Sequence, residues 1–329
     1  MKRRTFLGVA GALVLGDAAA PAAAPFPIID THIHLGDPAR MFRGMPGRQG
    51  PPPGAARRGG LFTEPTLPAR YRRVVAEPLG ISGAIEIEAS PSIDENQWVL
   101  DVSEPDTIMV GTVGNLDPGA ADFLQQLDRY HKHPLFRGIR YGNLWGRNPS
   151  AAVEKPEFIA GLKALADADL SLDSANPNLD LLEALLKISD RVPTLRIIVD
   201  HLPQMTMPTD AAGQARNASV MREFHKRPQV YVKVSEVFRN VDGKIPEDVA
   251  FYRPRLDEIY ETFGESRVLY GSDWPNSEHW LSPEAGMKLV REYFMAKGQA
   301  VAEKYFWKNS AKAYKWARRA PGQPDPKTA

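Results

Sequence analysis

Ile28-Ile29-Asp30-Thr31-His32-Ile33-His34 is an apolar, β-branched run that ends in two histidines spaced two apart. Seven similar runs follow it. The eight are Pro27–Thr31, Gly83–Ile87, Thr107–Val113, Gly138–Tyr141, Leu170–Asp173, Arg196–Asp200, Val230–Val234 and Arg267–Tyr270. Between most of them the apolar residues recur with helical spacing, as in Asp122–Tyr130, Pro156–Ala168, Asn178–Ser189, Val220–Lys226 and Arg255–Phe263. Strands alternating with helices imply βαβ units and a parallel sheet, and eight such strands imply closure into a (β/α)8 TIM barrel.

A single barrel accounts for the length. The 329 residues are 43% hydrophobic and 25% charged, enough to bury one large core, assigned here to residues 25–320. A net charge of +1 gives no electrostatic footprint for nucleic acid, so the expected partner is a small-molecule substrate. With no cysteine, thiol nucleophiles and thiolate metal sites are excluded, and any metal must be held by His, Asp or Glu. Residues 1–24 read as a cleaved export signal: Lys2-Arg3-Arg4-Thr5-Phe6-Leu7 resembles a twin-arginine leader, and Ala18–Ala24 offers small-residue cleavage sites. The apolar stretch Phe6–Leu15 falls short of the ~20 residues that span a bilayer, so a periplasmic or secreted enzyme with no stable membrane span is expected. Residues 36–68, rich in Gly, Pro and Arg, form a long connection after the first strand, either a lid over the barrel mouth or a mobile insertion. Gln299–Arg319 reads as one or two helices packing Tyr305, Phe306, Trp307, Tyr314 and Trp316 on the barrel's outside, and residues 321–329 as a disordered tail.

Alternation along a strand turns His32 and His34 to one side, where two imidazoles can share a divalent ion; a hydrogen-bonded pair of loop histidines has the same spacing. In Val268-Leu269-Tyr270-Gly271-Ser272-Asp273-Trp274-Pro275, Asp273 lies just past the eighth strand. Barrel closure brings that strand beside the first, so Asp273 is placed to bind metal or take a proton from water, unless it only serves a turn. His201 follows the apolar Ile197-Ile198-Val199 at a strand end, where active-site residues of such barrels sit. Glu86 and Glu88 share one face at the end of the second run, and Glu88 is the stronger candidate for a further metal ligand. After the fourth run, Arg140 is a candidate fork for a substrate carboxylate, or else an ion-pair partner in the mouth. Tyr141, Trp145 and Trp274 offer faces for a ring or sugar. Lys233, inside the seventh run, must meet a substrate oxygen or a structural carboxylate, because an unpaired buried charge is costly.

The pieces Asp30-Thr31-His32-Ile33-His34, Phe136-Arg137-Gly138-Ile139-Arg140, Val199-Asp200-His201-Leu202, Val232-Lys233-Val234-Ser235, Gly271-Ser272-Asp273-Trp274-Pro275 and Phe306-Trp307-Lys308-Asn309-Ser310-Ala311 carry a resemblance. The chain resembles the amidohydrolase superfamily, in its amidohydrolase-related group, and within that group it is most similar to lactone hydrolases. The resemblance implies that His32 and His34 bind metal, that His201 binds metal or polarises a carbonyl, and that Asp273 activates water. It implies one divalent ion, zinc by ligand type, although some relatives work without metal. Leu172-Asp173-Ser174-Ala175-Asn176-Pro177 holds no lysine to bridge two metals, and Asn176 stands where lactonases carry a histidine. The expected function is hydrolysis of a lactone or related cyclic ester by an activated water. The alternatives are a metal-dependent decarboxylase of aromatic or unsaturated acids, and a non-catalytic exported binding protein on the same barrel.

Overall fold

The computed structural model describes residues 26–41 and 64–329. The expected leader, residues 1–24, and most of the Gly/Pro-rich connection lie outside the described residues. Eight parallel strands run in the order β1 to β8: Ile29–Ile33, Gly83–Ile87, Met109–Gly114, Phe136–Arg140, Ser171–Asp173, Arg196–Val199, Val230–Lys233 and Val268–Leu269. Each overlaps its predicted run. The ring closes through Thr31 N–H to Tyr270 O at 3.0 Å, Asp273 N–H to His32 O at 2.8 Å and His34 N–H to Trp274 O at 2.8 Å. The last strands therefore lie beside the first, as the eight-strand count requires. Gly271 allows this closeness, because a Cβ there would stand 2.8 Å from the Cβ of His32.

The crossover helices start on side-chain caps. Asn178 accepts from Leu181 N–H, Asp210 from Gly213 N–H and Ser282 from Ala285 N–H, each satisfying an otherwise orphaned donor. Two helices are longer than the periodicity predicts, Ala211–His225 and Val249–Phe263. The first turns of Ala211–His225 are mostly exposed, so they carry no apolar stripe to read. Pro254, inside the second, hides its start from a reading that takes proline as a breaker.

The C-terminal segment corrects two expectations. Tyr305 and Phe306 pack with Phe26, Tyr270 and Phe294 outside the strands, as expected. Trp307, Tyr314 and Trp316 instead join Ile29, Ile85, Val110, Ile198 and Leu269 from the strands in one buried cluster that plugs the barrel base. Arg196, at the start of β6, donates to Ala313 O at 2.8 Å. Arg319 donates to the carbonyls of Ser103, Asp106 and Met109. The segment from Pro321, expected to be disordered, is also bound down. Gln323 is 4% exposed and donates to Ser82 O at 3.0 Å and Thr107 O at 2.7 Å. These carbonyls precede β2 and β3, where the strands leave backbone acceptors open, and the tail satisfies them. Among the described residues, no helix is long and apolar enough to cross a membrane.

Candidate active site

The opposite end of the barrel gathers the predicted chemistry. β1 changes register with β2 between Asp30 and Ile33. Asp30 bonds Tyr71 Oη at 2.8 Å, while His32 and His34 approach Asp273. His34 Nδ1 lies 2.7 Å from Ile87 O. A carbonyl only accepts, so Nδ1 carries the proton and the lone pair is on Nε2. That nitrogen lies 2.9 Å from Asp273 Oδ1. His32 Nε2 and His201 Nε2 stand 3.5 Å and 3.8 Å from the same oxygen. His201 is oriented by Ser235 Oγ, 2.8 Å from its Nδ1. All four residues are buried. Burial pushes Asp273 up to about 7, against the pull of Arg140, and it draws His34 down to about 3 and His32 and His201 well below the usual imidazole range.

Behind the imidazoles lies a layer of buried charge. Lys233 Nζ contacts Asp173 Oδ2 at 2.7 Å, Asp200 Oδ1 at 3.0 Å and His32 Nδ1 at 3.1 Å. Arg140 Nε contacts Asp200 Oδ2 at 3.2 Å and donates to Ser174 O at 3.2 Å. Tyr314, from the basal plug, donates to Asp173 Oδ2 at 2.5 Å. Burial raises Asp200 to about 7, with Lys233 acting in the opposite direction.

Backbone strain marks the same end. Asn176 after β5, His201 after β6, Glu236 after β7 and Asp273 after β8 all have positive φ, between 50° and 55°. None is glycine, so each costs on the order of 1 kcal/mol that the surroundings must hold in place. Glu236 accepts the Trp280 indole N–H at 2.5 Å.

The other predicted residues divide. Trp145 roofs the site, 40% exposed, and donates its indole N–H to Glu88 at 3.0 and 3.2 Å. Glu88 stands outside both groups of residues able to share an ion, so the structure does not make it a ligand. It is held between Trp145 and Arg140 instead. Glu86 is buried in a cavity under the helix Asp94–Ser103, lined by Asn96, Val99 and Phe136. Arg140 contacts Asp200 and Ser174 O through Nε and Glu88 O through Nη1, which fits the ion-pair reading. Tyr141 packs on Phe158 and under Arg147, and Trp274 is fully buried against Tyr71, so neither presents a face to a substrate. Lys233 is fully buried among carboxylates, so it pairs structurally and does not meet substrate. The sequence reading missed Asp200, Asp173 and Glu236. Asp200 had a signal, its place beside His201 at a strand end; Glu236 had none.

The residues fit a divalent cation. The His34 Nε2 lone pair and the Asp273 carboxylate face each other across 2.9 Å, an arrangement that calls for a positive charge between them. His32, His34 and Asp273 form one group with ligand atoms close enough to share an ion, and His32, Asp200 and His201 form another. Such nitrogen and oxygen donors suit zinc and its neighbours.

Barrels that collect imidazoles and a carboxylate at the carboxyl ends of their strands form the metal-binding class of TIM-barrel hydrolases, and this chain is one of them. The amidohydrolase family profile matches residues 29–316, and the chain belongs to that family. It is similar to the L-fucono-1,5-lactonase of Burkholderia ambifaria, 29% identical over 231 residues, covering 68% of this chain and 77% of the relative. Among solved structures it is similar to an amidohydrolase from Burkholderia multivorans with bound zinc, at TM-score 0.72 and 19% identity, covering 88% of this chain and all of the other. It is also similar to a 5-carboxyvanillate decarboxylase from Novosphingobium aromaticivorans complexed with manganese, at TM-score 0.58 and 18% identity, covering 88% and 96%.

Proposed function

We propose that this hydrolase opens an uncharged lactone, with Asp273 as the base that takes the proton of the attacking water. The observation that carries the reading is the position of Asp273 Oδ1, 2.9 Å from His34 Nε2 and within 3.8 Å of His32 and His201. With no ion bound, burial raises the Asp273 carboxyl to about 7, so it takes up a proton more readily than an ordinary carboxylate. Lactone opening needs an electrophile for the carbonyl and a base for water, and no covalent nucleophile. A divalent ion, held by His34 and Asp273 with neighbouring imidazoles, would polarise the carbonyl and acidify the water. Ser235 holds the His201 ring in place, and Trp145 covers the mouth with an indole suited to the C–H face of a sugar.

The arginines favour a neutral substrate over a carboxylated one. Arg140 is paired with Asp200, and Arg147 donates to Arg140 O and to Asn115. Arg239 is tied to the carbonyls of Glu236 and Phe238. A carboxylate would find each of these guanidinium groups already engaged, which weighs against the decarboxylase reading. We also propose that residues 1–24 direct export and are removed.

The test is an assay of the mature protein, with metal content measured, on a panel of sugar lactones read by acid release and on carboxylated aromatic rings read by carbon dioxide release. Acid release from lactones is the expected result. Carbon dioxide release without lactone opening overturns the reading, and inactivity of the metal-loaded protein on both panels favours a binding protein.

A further inference from the structure

A second pocket lies behind the wall of the site, between the carboxyl ends of β7 and β8 and the helix Pro283–Ala296. Its volume is about 490 Å³, open mouth included, within the range of small-molecule sites. Phe238, Met287 and Val290 form a buried apolar floor, and Trp280 and Leu281 are half-buried at its rim. Among the described residues that line it none is basic, and the one carboxylate, Glu236, accepts the Trp280 indole N–H at 2.5 Å.

Two independent observations point to a ligand. Gly286 stands inside the helix, where glycine is less stable than alanine. Close packing does not require it, because a Cβ there would meet nothing nearer than Phe238 Cε2 at 3.8 Å, an ordinary contact. The missing side chain leaves room instead, beside Met287 and Val290 of the same helix. The other observation is the shared wall. Ser235 lines the pocket and also holds His201, with its Oγ 2.8 Å from Nδ1. Ser277 lines the pocket and donates its N–H to Asp273 O at 3.0 Å. The pocket is thus a single residue away from the groups that act on the lactone.

We propose that this pocket is a specificity subsite that takes a short alkyl substituent on the lactone ring. The inference rests on the lactone reading and adds the character of the arm that the ring carries. A hydroxylated arm would set its hydroxyls against Phe238, Met287 and Val290, whose side chains offer no partner, and each unpaired hydroxyl would weaken binding. An alkyl arm leaves water for an apolar surface and loses no hydrogen bond.

The experiment, on the full chain, compares 2-pyrrolidinone with 5-pentyl-2-pyrrolidinone by titration calorimetry, and γ-butyrolactone with γ-nonalactone by kcat/KM. The first pair are the lactam counterparts of the second and report binding without ester hydrolysis. The pentyl chain is expected to tighten binding and to raise kcat/KM, each by on the order of tenfold or more. Gly286→Phe places a ring in the pocket and should remove most of that gain. If that variant does not fold, Gly286→Leu carries the same test. Equal binding of the two lactams overturns the proposal, and so does a pentyl gain that survives in the folded variant. Binding of the pentyl lactam that does not displace 2-pyrrolidinone also overturns it, because the chain would then belong to a separate molecule. If no lactone is opened but the pentyl gain in binding depends on Gly286, the pocket stands and the reaction reading fails. If both lactones are opened at equal kcat/KM, the reaction reading stands and the subsite fails.

Discussion

The two ends of this barrel solve opposite problems. At the base, the terminal segment fills the barrel with Trp307, Tyr314 and Trp316 and satisfies open carbonyls through Arg319 and Gln323. At the mouth, carboxyl groups are raised to about 7 by burial, imidazoles are held neutral, and Trp145, Asn176, His201, Glu236 and Asp273, none of them glycine, sit at positive φ. The base lowers the free energy of the fold, and the mouth spends part of that gain to hold groups that water would otherwise solvate. Closing the barrel from below lets such a mouth exist, because the strained ends of β5 to β8 are fixed by strands anchored elsewhere.

The widest separation of the two ends should come from Asp273→Asn. Loss of the base is expected to lower kcat/KM by about a thousandfold or more. The amide needs no charge desolvated, so the melting temperature should hold or rise. Steady-state lactone hydrolysis beside a thermal melt checks both. A variant that melts early yet keeps its rate would make Asp273 a structural residue.

Trp316→Ala should act in the other direction. Trp316 is 1% exposed and donates its indole N–H to Ser310 Oγ at 2.9 Å. Truncation of such a residue costs about 3–5 kcal/mol of stability. Denaturant melts should show that loss while kcat per folded molecule stays within about twofold. A collapse of kcat in the folded variant would mean that the base acts on the mouth, for which Tyr314, Asp173 and Lys233 form the continuous chain of contacts.

The same division explains what the sequence could and could not reveal. All eight strands were legible because a parallel barrel buries both faces of each strand and so leaves near-continuous apolar runs. His32, His34, His201 and Asp273 were legible because each stands just past such a run. Asp173 and Glu236 were not, because a buried carboxylate and a loop carboxylate look alike until their partners are known; Asp200, beside His201 at a strand end, carried a signal that was passed over. Trp274 and Tyr141 misled for a related reason: an aromatic next to a site residue packs inward as readily as it faces a ligand. The bound tail was missed because Gln323 takes its order from backbone carbonyls more than 200 positions away in sequence, which no local pattern encodes.

Glu88 allows a finer test of how far burial at the mouth taxes the fold. Burial raises its carboxyl to about 7 from an ordinary value of 4.5, against opposing pulls from Arg140 and the Trp145 indole. A raised carboxyl binds its proton more tightly in the folded chain than in the unfolded one. Its contribution to stability is therefore fully present below pH 4.5 and is lost as pH rises through about 7. Glutamine keeps an acceptor for Trp145 and never ionises, so Glu88→Gln escapes that loss. The metal-free variant should gain on the wild type between those limits, by on the order of 2–3 kcal/mol above neutral pH. Asp200 and Asp273 shift in the same direction and are present in both proteins, so the difference between the two melts isolates Glu88. Denaturant titrations at intervals from pH 4 to pH 8 measure it. A difference that stays flat across that range would mean that Glu88 titrates as a solvated carboxylate, and the mouth would then hold less stored charge than its burial implies.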